Sequence, residues 1–382
     1  MKAHAKRFVL APDSFKESMS ASVAVAAMKR GVLAVFADAE CIEVPMADGG
    51  EGTVEALVEA LEGQRVVADV HDSHGRLVRA SYGWVREKKL AIIEIAAAAG
   101  FDQVAKPDRN PRVTSTFGVG EIILQALNRG ARHFVVGIGS SATNDGGAGM
   151  LQALGARLID SQGDDVQLGG AALSQLDRID LTALDPRLAK SDFKIASDVT
   201  NPLLGPNGAS AIFGPQKGAD EATVVELEIA LSTWARVVYS TTGRDVALVP
   251  GSGAGGGLGA AFLAFFDSQM LRGVEVVMSA NHFAERISGA SYVLTGEGSV
   301  DAQTASGKTL LGVAEIAARH GVPVIAFAGR IGAGAEALYP LGFAALVPIM
   351  QDISDLQQAL ADGPVNLERA VTTTCRLLAQ CR

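Results

Sequence analysis

Residues 137–150 read GIGSSATNDGGAGM, and the rest of the chain is best interpreted outward from them. The apolar run before them, 133–136, predicts a buried strand, and residues 150–155 predict the start of a helix. Glycines and small hydroxyl side chains at the carboxyl end of a strand let backbone N–H groups approach an anion closely. Asn144 and Asp145 add an acceptor and a charge that can hold a cation beside that anion. The alternative is a long turn, because Gly, Asn and Asp are common turn residues.

An acidic residue beside a serine or threonine recurs in four more loops, at residues 12–18, 47–53, 196–203 and 295–304, and the second and fourth of these also contain glycine. The first two of these loops each follow a short apolar run and precede a predicted helix, and Ser20 is the expected N-cap of the first helix. A strand followed by a loop and a helix predicts a parallel sheet, and open α/β sheets bind ligands at the carboxyl ends of their strands. A ligand site is therefore expected at that edge.

The middle of the chain has a different pattern from its two ends. Between residues 65 and 95, short apolar runs split by turns predict antiparallel hairpins. The succession of strand, loop and helix seen near the start of the chain returns at 292–349. We therefore expect both chain ends to contribute to one five-stranded parallel sheet. We therefore predict two α/β domains. A parallel, flavodoxin- or Rossmann-like three-layer domain comprises 1–69 plus 286–382, and a mixed-sheet domain, 70–285, is inserted in it, with the ligand in the cleft between them. Further predicted elements are helices at 221–241, 260–270 and 309–320, a strand at 274–278 and a loop that begins at Gly296.

Composition excludes several classes of partner. The 382 residues carry a formal charge of −9, which argues against binding to nucleic acid or to an anionic membrane, because both require a basic surface. The three cysteines, Cys41, Cys375 and Cys381, show neither disulfide nor zinc spacing, and no apolar run approaches membrane-spanning length. We expect a cytoplasmic protein that is a monomer or a homodimer.

Charged side chains in or beside the glycine-rich loops suggest phosphoryl transfer. In this chemistry cations and backbone amides hold phosphates, carboxylates hold Mg²⁺, and one carboxylate accepts the proton of the acceptor hydroxyl. The cations are Lys16, Lys217, Lys308 and Arg330. The carboxylates are Asp13, Asp48, Glu51, Asp145, Asp198, Glu297 and Asp301.

Two familiar motifs nearly match. Residues 307–309, GKT, end like a phosphate-binding P-loop, but Ala302 stands where that motif needs its first glycine. Residues 251–256, GSGAGG, match the glycine pattern of dinucleotide sites, which require an acidic residue at the end of the next strand. Glu275 lies at the right spacing from these glycines but at the front of the predicted strand and not at its end. Close packing of a helix against a sheet is therefore the preferred interpretation.

Six segments together resemble the type-1 glycerate kinases, in the same order and across essentially the whole chain. They are residues 11–16, 47–53, 141–147, 198–203, 213–219, and 295–298 with Asp301. The resemblance implies ATP-dependent phosphorylation of D-glycerate with Mg²⁺, at the 2-hydroxyl, with a glycerate 3-kinase as the alternative. It also implies two α/β domains, one inserted in the other. Ser140 stands where many members have glycine and Gly255 where alanine is common, and both departures concern loop geometry.

Roles follow from the loops and the resemblance together. We expect Asp198 to be the general base, because it follows an apolar run, and by analogy with other kinases. Lys16 and Lys217 are expected to neutralise phosphate or glycerate charge, and Glu297 and Asp301 to bind Mg²⁺. The residues expected to bind substrate or nucleotide are Asp13, Ser14, Asp48, Gly49, Gly50, Glu51, Ser140, Ser141, Asn144, Asp145, Asn201, Gln216, Gln303 and Lys308. Rivals for the base are Asp48, Glu51 and Asp145. Rival functions are a nicotinamide-dependent oxidoreductase and a non-catalytic two-lobed binding protein.

Overall fold

The structure, a computed structural model, describes residues 6–47, 52–301, 304, 309–350, 352 and 354–380. The chain divides into two units. The first comprises Met1–Asp48, Glu59–Leu61 and Val274–Arg382, and the second comprises Gly49–Val58 and Glu62–Gly273. The predicted domain boundaries, 1–69 plus 286–382 and 70–285, stay a prediction. Across the described residues, no helix is both long and apolar enough to cross a membrane.

The regular elements of the described residues follow in chain order. The strands are β1 (Arg7–Leu10), β2 (Glu40–Glu43), β3 (Gln64–His71), β4 (Leu77–Val85), β5 (Leu90–Glu94), β6 (His133–Gly137), β7 (Arg157–Asp160), β8 (Leu176–Asp180), β9 (Asp192–Ala196), β10 (Asp267–Leu271), β11 (Tyr292–Val300), β12 (Val324–Ile331) and β13 (Phe343–Pro348). The helices are α1 (Ala21–Leu33), α2 (Thr53–Ala60), α3 (Ala96–Ala99), α4 (Phe117–Asn128), α5 (Ala148–Ala153), α6 (Ala209–Phe213), α7 (Glu221–Thr242), α8 (Leu258–Phe265), α9 (Gly273–Ala280), α10 (Phe283–Ile287), α11 (Thr309–Arg319), α12 (Leu356–Ala361) and α13 (Gly363–Gln380).

The first unit contains a five-stranded sheet in the order β13-β12-β11-β1-β2. Every neighbouring pair in it is parallel. Phe8, Val9 and Leu10 of β1, an interior strand between β11 and β2, are fully buried, as expected for a strand covered on both faces. The prediction of a parallel sheet built from both chain ends is confirmed.

Helices α1 and α13 pack together in the first unit. The N-cap predicted for α1 is confirmed, since the backbone N–H of Val23 donates to Ser20 Oγ at 3.4 Å. Gly31 permits the close approach of the two helices, because a Cβ there would lie 2.8 Å from the carbonyl oxygen of Glu368. Side chains of α1 and α13 pack with Phe8 and Phe327 of the parallel sheet in one hydrophobic core.

The second unit contains a six-stranded mixed sheet in the order β10-β9-β6-β5-β4-β3. Strands β3, β4 and β5 pair antiparallel, and β5, β6, β9 and β10 pair parallel. Aromatic rings fill its core: Phe134 and Phe193 stack with ring centroids 4.6 Å apart, and Phe262 packs 5.4 Å from Phe193. The predicted fold class, two α/β domains with one parallel and one mixed sheet, is confirmed.

The carboxyl ends of three parallel strands in the second unit lie side by side. Gly137 at the end of β6 is in register with Ala196 at the end of β9, and Ala196 is in register with Leu271 at the end of β10. The loops that leave these strands therefore begin next to one another, and this edge carries several of the predicted site residues.

Three predicted elements are wrong. Residues 274–278 lie in helix α9 and not in a strand, and the predicted helix 260–270 ends at Phe265, after which β10 pairs with β9. The predicted loop at Gly296 is part of β11, which continues to Val300 because it stays paired with β12. In each case the pairing or packing of distant segments outweighs the local preference of the residues.

Candidate functional site

The loop 138–147 leaves the buried strand β6 and leads into α5. It turns through left-handed backbone conformations, with φ of 56° at Ser140, 62° at Gly146 and 80° at Gly147. Glycine adopts such angles without strain, whereas other residues rarely do so. Ser140 is half-buried, and its left-handed backbone gives a physical reason why glycine suits this position.

Asp145 lies at the centre of this loop and is fully buried. Its carboxylate accepts hydrogen bonds from the backbone N–H and the hydroxyl of Thr116, at 2.8 and 2.9 Å. It also accepts from the backbone N–H groups of Gly147 and Gly149, both at 3.2 Å. Burial raises the pKa of Asp145, and these hydrogen bonds oppose the increase. Asp145 thus joins the first turns of α4 and α5, while its predicted contact with a ligand stays a prediction.

Lys217 lies beneath the same loop and is only 3% exposed. Its Nζ donates to the carbonyl oxygen of Thr143 at 2.6 Å and to Ser141 Oγ at 3.1 Å. Burial lowers the pKa of Lys217 from 10.5 to about 7, and the negative charge of Asp145 acts in the opposite direction. The structure therefore brings Lys217 to the loop of Ser141 and Asp145, although the lysine follows Ser141 by 76 residues in the sequence.

The glycine-rich loop 251–257 packs against the backbone of its neighbours. A Cβ at Gly256 would lie 1.9 Å from the carbonyl oxygen of Thr143, and one at Gly253 would lie 2.1 Å from the carbonyl oxygen of Pro202. Glycine is required at both positions by this close approach. The loop thus fixes the relation between the segments that follow β6 and β9.

This loop does not have the surroundings of a dinucleotide site. The segment with Glu275, which the dinucleotide interpretation took as the next strand, is helix α9. The required acidic residue at the end of a following strand is therefore missing from its expected place. The preferred interpretation, close packing, agrees with the contacts of Gly253 and Gly256.

Asp198 lies two residues beyond the end of β9 and is exposed. Its Oδ1 accepts a hydrogen bond from the backbone N–H of Gly273 at 3.0 Å. Asn201, three residues on, donates from Nδ2 to the carbonyl oxygen of Asn207 at 2.8 Å. An exposed carboxylate whose position is set by a backbone bond is a suitable proton acceptor.

Two polar groups of the β6 loop are buried and lack a hydrogen-bond partner among the described residues. They are Thr143 Oγ1 and Asn144 Oδ1. The other side-chain atom of Asn144, Nδ2, donates to Ser210 Oγ at 3.0 Å. Unpaired buried polar atoms are costly and are found most often at functional or hydrated positions.

In the first unit, the loop after β1 carries Asp13, Ser14 and Lys16. Asp13 is buried, and its two carboxylate oxygens accept from the backbone N–H of Ser14 and from Thr309 Oγ1. Thr309 is the first residue of α11, so Asp13 links the loop to the start of that helix. Lys16 is exposed, and a Cβ at Gly298 in β11 would lie 3.5 Å from its backbone nitrogen.

Glu297 and Asp301 lie at the end of β11. Thr304, which is fully buried, donates from Oγ1 to Glu297 Oε1 at 3.1 Å and accepts from the Asp301 N–H at 3.2 Å. Among the described residues, no group of three or more His, Cys, Asp or Glu side chains can hold a metal ion. Because Mg²⁺ in kinases is held by one or two carboxylates plus the phosphates of a substrate, this pair has the chemistry for such a site.

The remaining predicted residues are distributed as follows. Gln216 is exposed, and its carbonyl oxygen accepts from Arg109 at 3.2 Å. Outside the described residues lie Asp48, Gly49, Gly50, Glu51, Gln303 and Lys308. Sequence reasoning missed the hydroxyl of Thr116, although a threonine directly before an apolar helical run is a recognisable N-terminal signal.

Comparison with known proteins gives one consistent result. The model of the glycerate kinase family matches residues 8–379. Glycerate kinase from Halalkalibacterium halodurans is 46% identical over 362 residues, which cover 95% of each chain. Glycerate 2-kinase from Escherichia coli K12 is 45% identical over 373 residues, which cover 98% of each chain. A crystal structure from Salmonella typhimurium LT2, described as a glycerate kinase 2, has a TM-score of 0.90 and 44% identity, with 98% of this chain and 99% of that chain covered.

Proposed function

The chain belongs to the glycerate kinase family and is therefore a phosphotransferase with an alcohol acceptor, and from that premise we propose that it uses ATP to phosphorylate D-glycerate at the 2-hydroxyl. The observation that carries this proposal is the near-complete match to the Escherichia coli protein named glycerate 2-kinase. The products are 2-phosphoglycerate and ADP.

In the proposed reaction, the oxygen of the 2-hydroxyl forms a bond to the terminal phosphorus of ATP while the bond from that phosphorus to the bridging oxygen breaks. ADP leaves with the bond's electron pair. The proton of the hydroxyl passes to the carboxylate of Asp198, which is exposed at the carboxyl edge of the mixed sheet. Lys16 and Lys217 supply positive charge for the anionic reactants, Lys16 from an exposed loop and Lys217 from a buried position.

Glu297 and Asp301 are the residues that would hold Mg²⁺. When bound, the ion neutralises negative charge on the phosphates of the nucleotide. Thr304 supports this role, because its hydroxyl donates to Glu297 and its position is fixed by the Asp301 backbone. Replacing Asp301 by Asn should shift the Mg²⁺ concentration required for half-maximal turnover. An unchanged requirement would remove the metal role.

Phosphorus NMR of the product tests the proposed reaction directly. Purified protein, ATP, Mg²⁺ and D-glycerate should give the resonance of 2-phosphoglycerate together with ADP. The resonance of 3-phosphoglycerate would instead establish the alternative, a glycerate 3-kinase. A protein that binds D-glycerate without forming ADP would be the non-catalytic binding protein, and stabilisation by NADH without stabilisation by ATP would favour the oxidoreductase.

The role of Asp198 is tested by Asp198→Asn. Asparagine keeps an oxygen that can accept from the N–H of Gly273, so the fold should be retained. Loss of the base should lower turnover by roughly a hundredfold to ten-thousandfold with little change in ATP binding. Asp177→Asn, an exposed acidic residue of the same unit, is the matched control and should keep full turnover. A folded Asp198→Asn enzyme with most of its turnover would assign the proton to another acceptor.

The remaining expectations are part of the same proposal. D-glycerate is the small-molecule partner, and no nucleic acid or membrane partner is expected. Size-exclusion chromatography with light scattering would distinguish the expected monomer or homodimer from larger assemblies. The proposed compartment is the cytoplasm, which fractionation of expressing cells would test.

A further inference from the structure

Among the described residues, Lys217 is the only lysine or arginine that is buried. Removing an ammonium group from water is costly, and a protein keeps such a group only where specific contacts compensate it. Its two contacts both go to the β6 loop, to the carbonyl oxygen of Thr143 and to Ser141 Oγ. Both hydrogen bonds of the Lys217 ammonium group therefore go to one short segment, residues 141–143.

The two contacts determine which way the hydroxyl of Ser141 can donate. Because the Lys217 ammonium donates to Ser141 Oγ, that oxygen acts as an acceptor from within the protein. The carbonyl oxygen of Thr143 already accepts from Lys217 at 2.6 Å, and it is a distant 3.4 Å from Ser141 Oγ. A contact of 3.4 Å is at the long limit for an O–H donor, so the serine hydrogen remains available for a better acceptor.

Two charged side chains belong to the surroundings of Lys217, one from the β6 loop and one from another segment. The carboxylate of Asp145 belongs to the same loop and is already held by N–H and O–H donors. The guanidinium of Arg109 contacts the residue before Lys217, where it donates to the carbonyl oxygen of Gln216 at 3.2 Å. Neither side chain replaces the two bonds from Lys217, so these bonds connect the buried charge to the loop after β6, and among the described residues the one to Ser141 is its only bond there to a side chain.

We propose that Lys217 is a positioning residue that acts through Ser141, holding the serine so that its hydroxyl donates to a carboxylate or phosphate anion bound at the carboxyl end of β6. The inference rests on the proposed function, because the anion belongs to D-glycerate or to ATP. In this proposal the hydroxyl of Ser141 contacts the anion, and Lys217 does not contact it directly.

The buried position of Lys217 should also make anion binding depend on pH. Nearby negative charge favours the protonated amine, so anion binding should draw a proton onto Lys217. Since the pKa of Lys217 is about 7 without ligand, affinity for the anion should decrease as pH rises above neutrality, by up to about tenfold per pH unit. Below pH 7 the amine is already charged, and this source of pH dependence should disappear.

Steady-state kinetics of four proteins test the inference: wild type, Ser141→Ala, Lys217→Met and the double variant. Ser141→Ala should raise the KM of one anionic substrate by about tenfold to a hundredfold, the range expected for a hydrogen bond to a charged group, with kcat changed far less. Lys217→Met should raise the same KM and abolish its increase above pH 7. Because the lysine acts through the serine, the double variant should be no worse than Lys217→Met.

Calorimetric titration with D-glycerate, and separately with ATP and Mg²⁺, in buffers of different ionisation enthalpy adds a readout independent of turnover. Wild type should take up a proton at pH 8 with the ligand that Ser141 contacts, and Lys217→Met should not. Exposed Lys190→Met and Ser174→Ala, in the same unit, are the controls and should match wild type.

These experiments distinguish failure of the proposed function from failure of the positioning role of Lys217. A wild type that forms no phosphoglycerate overturns the proposed function, whatever the variants do. An active wild type whose KM, pH profile and proton uptake are unchanged in folded Lys217→Met overturns the positioning role, as do additive effects in the double variant. If Lys217→Met does not fold, Ser141→Ala decides the matter, because a wild-type KM in that variant also overturns the inference.

Discussion

Replacing Lys217 by methionine should flatten the pH dependence of stability above neutral pH. The pKa of this lysine is about 7 in the folded protein, against 10.5 as its ordinary value. Between these values the unfolded chain binds one more proton than the native chain, so this residue makes stability rise with pH and fall as pH drops from 10.5 towards 7. A difference of about 3.5 pH units corresponds to about 5 kcal/mol over the whole window, or about 1.4 kcal/mol per pH unit.

Methionine cannot be protonated, so this slope should be absent from the variant. The stability difference at any single pH combines two effects. Methionine removes the cost of burying the amine, but it leaves the carbonyl oxygen of Thr143 and Ser141 Oγ without their donor, which costs about 1–3 kcal/mol. The slope isolates the charge, because the second effect does not depend on pH in this range.

Urea unfolding followed by tryptophan fluorescence measures this slope in the appropriate part of the molecule. Both tryptophans, Trp84 in β4 and Trp234 in α7, belong to the second unit. Between pH 7.5 and 9.5, the free energy of unfolding of wild type should increase by about 2.7 kcal/mol relative to Lys217→Met. Lys190→Met, an exposed lysine, should follow wild type. Parallel curves for wild type and Lys217→Met would refute the reasoning.

Four further changes probe other features. Asp145→Asn should lower the free energy of unfolding by about 3 kcal/mol or more in the same assay, because an amide would face the N–H groups that the carboxylate now accepts from; wild-type stability would contradict this. Ser140→Gly should raise the melting temperature by about 2–4 °C, since a left-handed non-glycine residue costs about 1 kcal/mol, and a decrease would count against strain. Gly256→Ala should destabilise the protein severely, as its Cβ would lie 1.9 Å from a carbonyl oxygen, and a normal melting temperature would disprove that contact. Lys16→Met should raise the KM of an anionic substrate without changing the melting temperature, and unchanged KM values for both substrates would make Lys16 a solvated side chain.

Much of the fold can be predicted because its signals are local. The buried run that forms β1 and the N-cap at Ser20 are each contained in a few neighbouring residues. Helix α13 was not predicted from the sequence, although its apolar residues Leu367, Val371 and Cys375 have the four-residue spacing of a helix face. All three are buried in the structure. The valines of residues 274–278 were misleading, because β-branched residues favour strands unless packing selects a helix.

The contacts within the candidate site could not be predicted in the same way. Thr116 and Asp145 are 29 residues apart, and Lys217 and Ser141 are 76 residues apart. Composition identified the loops that carry Ser141, Asp145 and Lys217, but not that the lysine would lie beneath the loop with both contacts internal. That outcome depends on how distant segments approach one another, and no spacing in the sequence encodes it.

The position of β1 in its sheet has a consequence for synthesis on the ribosome. Ala11, just after β1, accepts a hydrogen bond from Thr295, which is 284 residues further along the chain. At about 5–20 residues per second, translation separates the two by about 15–60 s. During that time the β11-facing edge of β1 has no native partner, because the strands of the second unit's sheet, β3 to β6, β9 and β10, are synthesised before β11. An exposed apolar strand edge invites pairing with other chains, so nascent protein should depend on chaperones that cover its first strand.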